Sequence, residues 1–124
     1  MNARKKLALL AASGTLALGL AASVAPTASA APAASWHGCP SGAVCIYPQD
    51  AGWNGDRPSL TYYSYGAHNL SNQYGNHYIA NNQTGGATMS TCTGYNGEGR
   101  QGNLAAGTWM IKDLTPINSI TLQP

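Results

Sequence analysis

From residue 31 onward, glycine or asparagine interrupts this chain so often that no helix of ordinary length fits within it. The 94 residues 31–124 contain 13 Gly and 9 Asn, and no dozen consecutive residues keep an unbroken apolar spacing of three and four. Short strands bounded by Gly, Asn, Asp or Pro are what such a sequence can form. The expected strands are Ala43 to Tyr47, Pro58 to Tyr65, Tyr78 to Asn82, Ala87 to Thr93, Thr108 to Lys112 and Asn118 to Leu122. Val44 and Ile46 share one face of the first. In the last, Ile120 and Leu122 alternate with Ser119 and Thr121, the pattern of a strand buried on one side.

The first 30 residues have a different character. Arg4, Lys5 and Lys6 precede the apolar run Leu7 to Leu20, and Ala28-Ser29-Ala30 supplies the small side chains of a cleavage site. Residues 1–30 are therefore expected to be a signal peptide, with the mature chain beginning at Ala31. Richness in Ala and Gly and the cleavage site that follows argue against an uncleaved membrane anchor. The mature chain keeps Arg57, Arg100 and Lys112 against Asp50, Asp56, Glu98 and Asp113, a net charge of −1. Three dispersed cations make neither a nucleic-acid footprint nor a polybasic membrane patch. Secretion implies an oxidising compartment, where cysteines more often act as staples than as metal ligands.

Ninety-four residues make one small domain. Residues 31–38 read as a flexible lead-in and 39–124 as the domain. Val, Ile and Leu number only 11 in the mature chain and Phe is absent, but all 7 Tyr and 3 Trp fall there. These large rings point to a folded protein with an aromatic core.

A faint internal repeat organises the domain. Tyr47, Trp53 and Gly55 correspond to Tyr95, Arg100 and Gly102 at offsets of 48, 47 and 47. Each half then closes on an Asn-containing strand, at Asn81-Asn82 and at Asn118. Two four-stranded Greek keys are the expected arrangement. An aromatic residue, a second aromatic and a nearby Gly resemble the folded first hairpin of βγ-crystallin Greek keys. There the glycine takes a backbone conformation that a side chain would obstruct. The opening Cys39-Pro-Ser-Gly-Ala-Val-Cys-Ile-Tyr47 resembles the start of the secreted bacterial metalloproteinase inhibitors of peptidase inhibitor family 36, which have a βγ-crystallin-like fold. The resemblance spans the mature chain by element order. At residue level it rests on Cys39 to Gly55 and on Asn81-Asn82.

Cys39 and Cys45 are six apart, with Pro40 and Gly42 able to bend the chain between them, so a small disulfide is expected there. A loop that short contributes about 2 to 3 kcal/mol by limiting the unfolded chain. Cys92 is left without a partner. The resemblance implies an inhibitory loop at Thr91, Cys92 and Thr93, with the reactive bond after Cys92, inserted into the cleft of an extracellular metalloprotease. Inhibitory members close that loop with a second disulfide. Here Gly97 or a neighbour stands where the closing cysteine would be; an unconstrained loop loses more entropy on docking and is cleaved rather than resisted, which favours a non-inhibitory member of the fold. A monomer is expected; a Cys92-linked dimer is the alternative that would restrain the loop from outside.

Other chemistries find little support. Gly97-Glu-Gly-Arg-Gln-Gly102 spells the dinucleotide fingerprint, but it lacks a preceding parallel strand and a following helix and reads as a hairpin turn. His37, His68 and His77 are spaced unlike zinc ligands and read as surface loop residues. For calcium only fragments remain, at Asn76 to Ala80 and Asp113 to Ser119. A Cys92 nucleophile with His68 or His77 as base needs an orienting group that the sequence does not single out. Asp50 and Asp56 flank the first hairpin turn and read as turn formers. No catalysis, cofactor or metal is expected. The alternative to inhibition is a non-inhibitory secreted binding or structural module. If Tyr63 and Tyr65 of the Tyr62 to Tyr65 run point outward they offer an aromatic surface for glycans or proteins; the preferred reading of that run is a second core layer beneath the sandwich.

Overall fold

A computed structural model describes residues 34–124 of the chain. The expected signal peptide and residues 31–33 lie outside the described residues. The described chain is all-β: eight strands, every pairing antiparallel, and no helix. In chain order they are β1 (Ala43–Ile46), β2 (Leu60–Tyr62), β3 (Gly66–Asn69), β4 (Asn76–Asn82), β5 (Thr88–Cys92), β6 (Arg100–Leu104), β7 (Thr108–Asp113) and β8 (Ser119–Gln123). One sheet runs β2-β1-β4-β7 and the other β3-β8-β5-β6. Adding four to each strand of the first order, counted cyclically, gives the second order read from its far end. Each half thus lends its third strand to the other half's sheet.

Side-chain alternation accounts for the packing. Val44, Ile46 and Ile79 from the first sheet meet Met89, Ile120 and Leu122 from the second, with Leu70, Leu114 and Ile117 closing the layer between them. Leu60 and Tyr62 pack against its edge. Asn81 is fully buried and fully used: its amide donates to Ala87 O (3.2 Å) and Leu104 O (2.8 Å), and its oxygen accepts from Gln83 N and Gln83 Nε2 (both 3.1 Å). A buried amide with every partner in place holds the link from β4 to β5 against the end of β6.

Two differences from the expected strands have physical reasons. Pro58 to Tyr65 does not form one strand: the chain leaves the first sheet after Tyr62 and enters the second at Gly66, whose φ of 108° turns it. Tyr63 to Tyr65 make the exposed crossing. Strand β6 has no apolar alternation to reveal it, because Arg-Gln-Gly-Asn-Leu forms an edge strand that buries only part of Leu104.

The first sheet is covered on its outer face too. Cys39, Ala43, Cys45, Tyr47 and Ala80 form a second apolar cluster, with Trp36, Trp53 and Tyr78 packed on it. Cys39 and Cys45 are joined by a disulfide, as expected from their spacing. Trp36 and Cys39 exchange backbone hydrogen bonds (3.0 and 2.9 Å), and Asn82 Nδ2 of β4 donates to Cys39 O (2.8 Å), which ties the start of the described chain to the sheet.

Candidate functional site

Thr91 and Cys92 are the last two residues of β5 and are buried; Thr93 opens the exposed connection that runs to Gly99. Thr91 pairs with Ile120 and shares its core-facing side, while Cys92 pairs with Ser119 on the outer face. Cys92 is a free cysteine. Of the three residues expected in a contact loop, only Thr93 thus lies on the exposed segment.

That segment is a tight hairpin. Thr93 N–H donates to Gly99 O (3.1 Å), Gly94 N–H to Glu98 O (2.9 Å) and Glu98 N–H to Tyr95 O (3.1 Å). Asn96 and Gly97 at the centre both have positive φ (58° and 83°), as a type I′ turn requires and as Asn-Gly permits. The hairpin then folds back over the second sheet. Ser119 Oγ donates to Gly94 O (2.7 Å) and accepts from Gly97 N–H (3.0 Å). Asn69 Oδ1 accepts from Asn96 N–H (2.7 Å), and Asn69 Nδ2 donates to Asn96 Oδ1 (3.1 Å). Asn118 Nδ2 donates to Thr93 O (2.7 Å). Three side chains from β3, β8 and the residue before β8 therefore clamp the first arm and the tip.

Glycine is required where the clamp is tightest. A Cβ on Gly97 would lie 3.1 Å from Thr121 Cγ2 and 3.4 Å from Ala67 Cβ, and one on Gly99 would strike Thr93 Oγ1. Gly102, matched to Gly55 by the internal repeat, sits in β6 with open space around it, whereas Gly55 lies in the long β1–β2 connection. The two glycines share the positive φ that the repeat expects (61° and 57°) but not their place in the fold. In the first half Trp53 covers the outer face, and in the second Gly97 does so.

The clamped loop presents Tyr95, which is 55% exposed. Beside it a shallow cavity of about 170 Å³ is lined by Leu70, Tyr74, Tyr95, Thr115, Ile117 and Asn118, with Tyr74 also exposed. At its edge the Asp113 carboxyl is held below the usual carboxylate range, first by the Thr115 N–H and then by the Thr115 hydroxyl. Two exposed tyrosines on a rigid base are the kind of surface that protein partners bury.

The histidines are not surface loop residues as a group. His77 lies buried in β4 with its ring nitrogens on Tyr47 O (2.6 Å) and Tyr74 O (3.0 Å), because the β1 and β3–β4 backbones close over it. His68 in β3 bonds Ser64 O (2.7 Å) and packs on Tyr62. His37 bonds Asp56 (2.9 Å) and stacks on Trp53 at 3.8 Å. Among the described residues no three His, Cys, Asp or Glu side chains are grouped to hold a metal ion. Asp50 and Asp56 both adopt positive φ (54° and 61°), in keeping with turn positions. Gly97 to Gly102 runs from the hairpin into β6 with no helix after it. Tyr63 and Tyr65 are exposed but occupy the crossing between sheets, off any strand face.

No family model matches the chain, and neither the curated proteins nor the solved structures provide a match.

Proposed function

We propose that this chain is a secreted, non-catalytic, peptidase-inhibitor-like protein with a βγ-crystallin-like fold of two Greek keys, directed at an extracellular metalloprotease. The exchange of third strands between two otherwise like-ordered sheets supports the Greek-key reading. The observation that carries the function is the clamped hairpin. Ser119, Asn69 and Asn118 supply the preorganisation that a second disulfide would otherwise provide, so the loop loses little freedom on docking. In this reading the contact residues are Thr93, Tyr95 and Asn96. Thr91 and Cys92 anchor the loop in the sheet and do not themselves enter the protease.

The test is a titration of the chain from Ala31 onward against a thermolysin-like metalloprotease, with a serine protease as control. Stoichiometric inhibition is expected, weakened about tenfold or more by Tyr95→Ala. Absence of inhibition, or cleavage between Thr93 and Gly99, overturns the proposal.

A further inference from the structure

The outer face of the first sheet carries an aromatic surface that the hairpin does not use. Trp109 and Ile111 of β7 stand beside Ala80 and Tyr78 of β4 in the pairing register and point the same way. Trp109 is 41% and Ile111 54% exposed, although both lie on a regular strand in the body of the protein. Their neighbours are rigid. Trp53 meets Tyr78 edge-on at 5.0 Å, Tyr47 edge-on at 5.0 Å and Trp109 at 5.0 Å, and Tyr78 lies 4.8 Å from Trp109 at 30°. The rings at the surface are therefore fixed by rings below them.

Polar groups stand at one edge of this platform. Asp50, Gly52 and Asn76 join Tyr78 and Ile111 around a cavity of about 300 Å³, the low end of small-ligand sites. Asp50 N–H donates to Asn76 O (2.9 Å), which fixes the two residues next to each other, and both side chains are exposed. The four strands place no Lys or Arg on this face, because Lys112 alternates to the other side and bonds Gln101. The nearest other cation is Arg57, in the connection that carries Trp53, and a single cation is too few to hold an anionic membrane or polymer here.

Size decides between a protein and a smaller occupant. With whole side chains of this type covering about 150 to 250 Å², the exposed parts of Trp109 and Ile111 amount to about 200 Å². A stable protein interface takes about 800 Å² from each partner. We infer that this face is a binding site for a neutral oligosaccharide. The apolar C–H face of one or two pyranose rings stacks on Trp109 and Tyr78, and ring hydroxyls bond to Asp50 and Asn76. The site is independent of the proposed inhibitory loop.

The experiment uses the chain from Ala31 with chitohexaose and cellohexaose as soluble probes. Tryptophan fluorescence and chemical shifts follow the titration, and retention on insoluble chitin and cellulose is measured in parallel. Saturable binding to at least one probe is expected, weakened about tenfold or more by Trp109→Ala, by Ile111→Ala and by the exposed pair Asp50→Asn with Asn76→Ala. Tyr95→Ala should leave it unchanged. The double polar variant keeps the test valid if Trp109→Ala fails to fold. No binding, or binding equal in wild type and all variants, overturns the inference. Concentration-dependent dimerisation abolished by Ile111→Ala would also overturn it, by assigning the face to a second copy of this chain.

Discussion

Ser119 Oγ accepts the Gly97 N–H at 3.0 Å while donating its own proton to Gly94 O at 2.7 Å, so one buried hydroxyl ties the first arm of the β5–β6 hairpin to its tip. Replacing it strands a donor and an acceptor in a covered position. Ser119→Ala is expected to lower stability by about 1 to 3 kcal/mol and to raise amide exchange at residues 94–98. Denaturant unfolding with residue-resolved hydrogen exchange checks both. Unchanged exchange at Gly97 would show that the hydroxyl does not hold the loop.

Gly97 and Gly102 both have positive φ (83° and 57°), but only Gly97 has neighbours that a methyl would meet. Gly102→Ala should cost about 1 kcal/mol for the left-handed backbone alone. Gly97→Ala should cost more, about 2 to 3 kcal/mol, because Thr121 and Ala67 must also shift. Comparing the two unfolding midpoints tests the difference, and equal losses would contradict the roofing of Thr121 by the loop.

The cysteines should separate by reactivity. Cys92, free and buried, is expected to resist a thiol reagent in the native protein, react fully in denaturant and leave the chain monomeric on non-reducing electrophoresis. Cys39→Ala with Cys45→Ala should lose about 2 to 3 kcal/mol of stability, the amount set by their short loop.

Burial, and secondarily Asp56, push the Tyr47 hydroxyl up from 10.0 to about 12, while its O–H donates to His37 O at 2.6 Å. The neutral form is the one the fold prefers. Its stabilising contribution is complete below pH 10.0 and is lost as pH rises toward about 12. Alkaline unfolding should therefore begin within that window. Tyr47→Phe should flatten the pH dependence there and cost about 1 kcal/mol at neutral pH for the lost hydrogen bond.

Trp53 touches five other rings: Trp36, His37, Tyr47, Tyr78 and Trp109. Trp53→Ala is expected to cost about 3 to 5 kcal/mol and to remove most of the near-ultraviolet circular dichroism. Retention of that signal would mean the outer cluster holds itself together without its central ring.

The amino-acid sequence by itself determined the all-β class, the close cysteine pair and the strands whose apolar residues alternate, as at Val44 and Ile46. These are local properties: a backbone dense in Gly and Asn cannot sustain a helix, and a two-residue period reports which side of a strand faces the core. Only the tertiary structure decided what lies over the outer faces. Ser119 and Thr121 follow a solvent-facing pattern yet are buried, because a hairpin about 25 residues away folds over them. The partners in that clamp, Asn69 with Asn96 and Asn118 with Thr93, are 27 and 25 residues apart. Trp53, in the β1–β2 connection, likewise finds Trp109 on β7 at the sheet's edge. No window of sequence holds both members of such a pair. The exchange of β3 and β7 between the sheets brings Asn69 to Asn96 and Trp109 to Trp53, and the β5–β8 pairing brings Asn118 to Thr93.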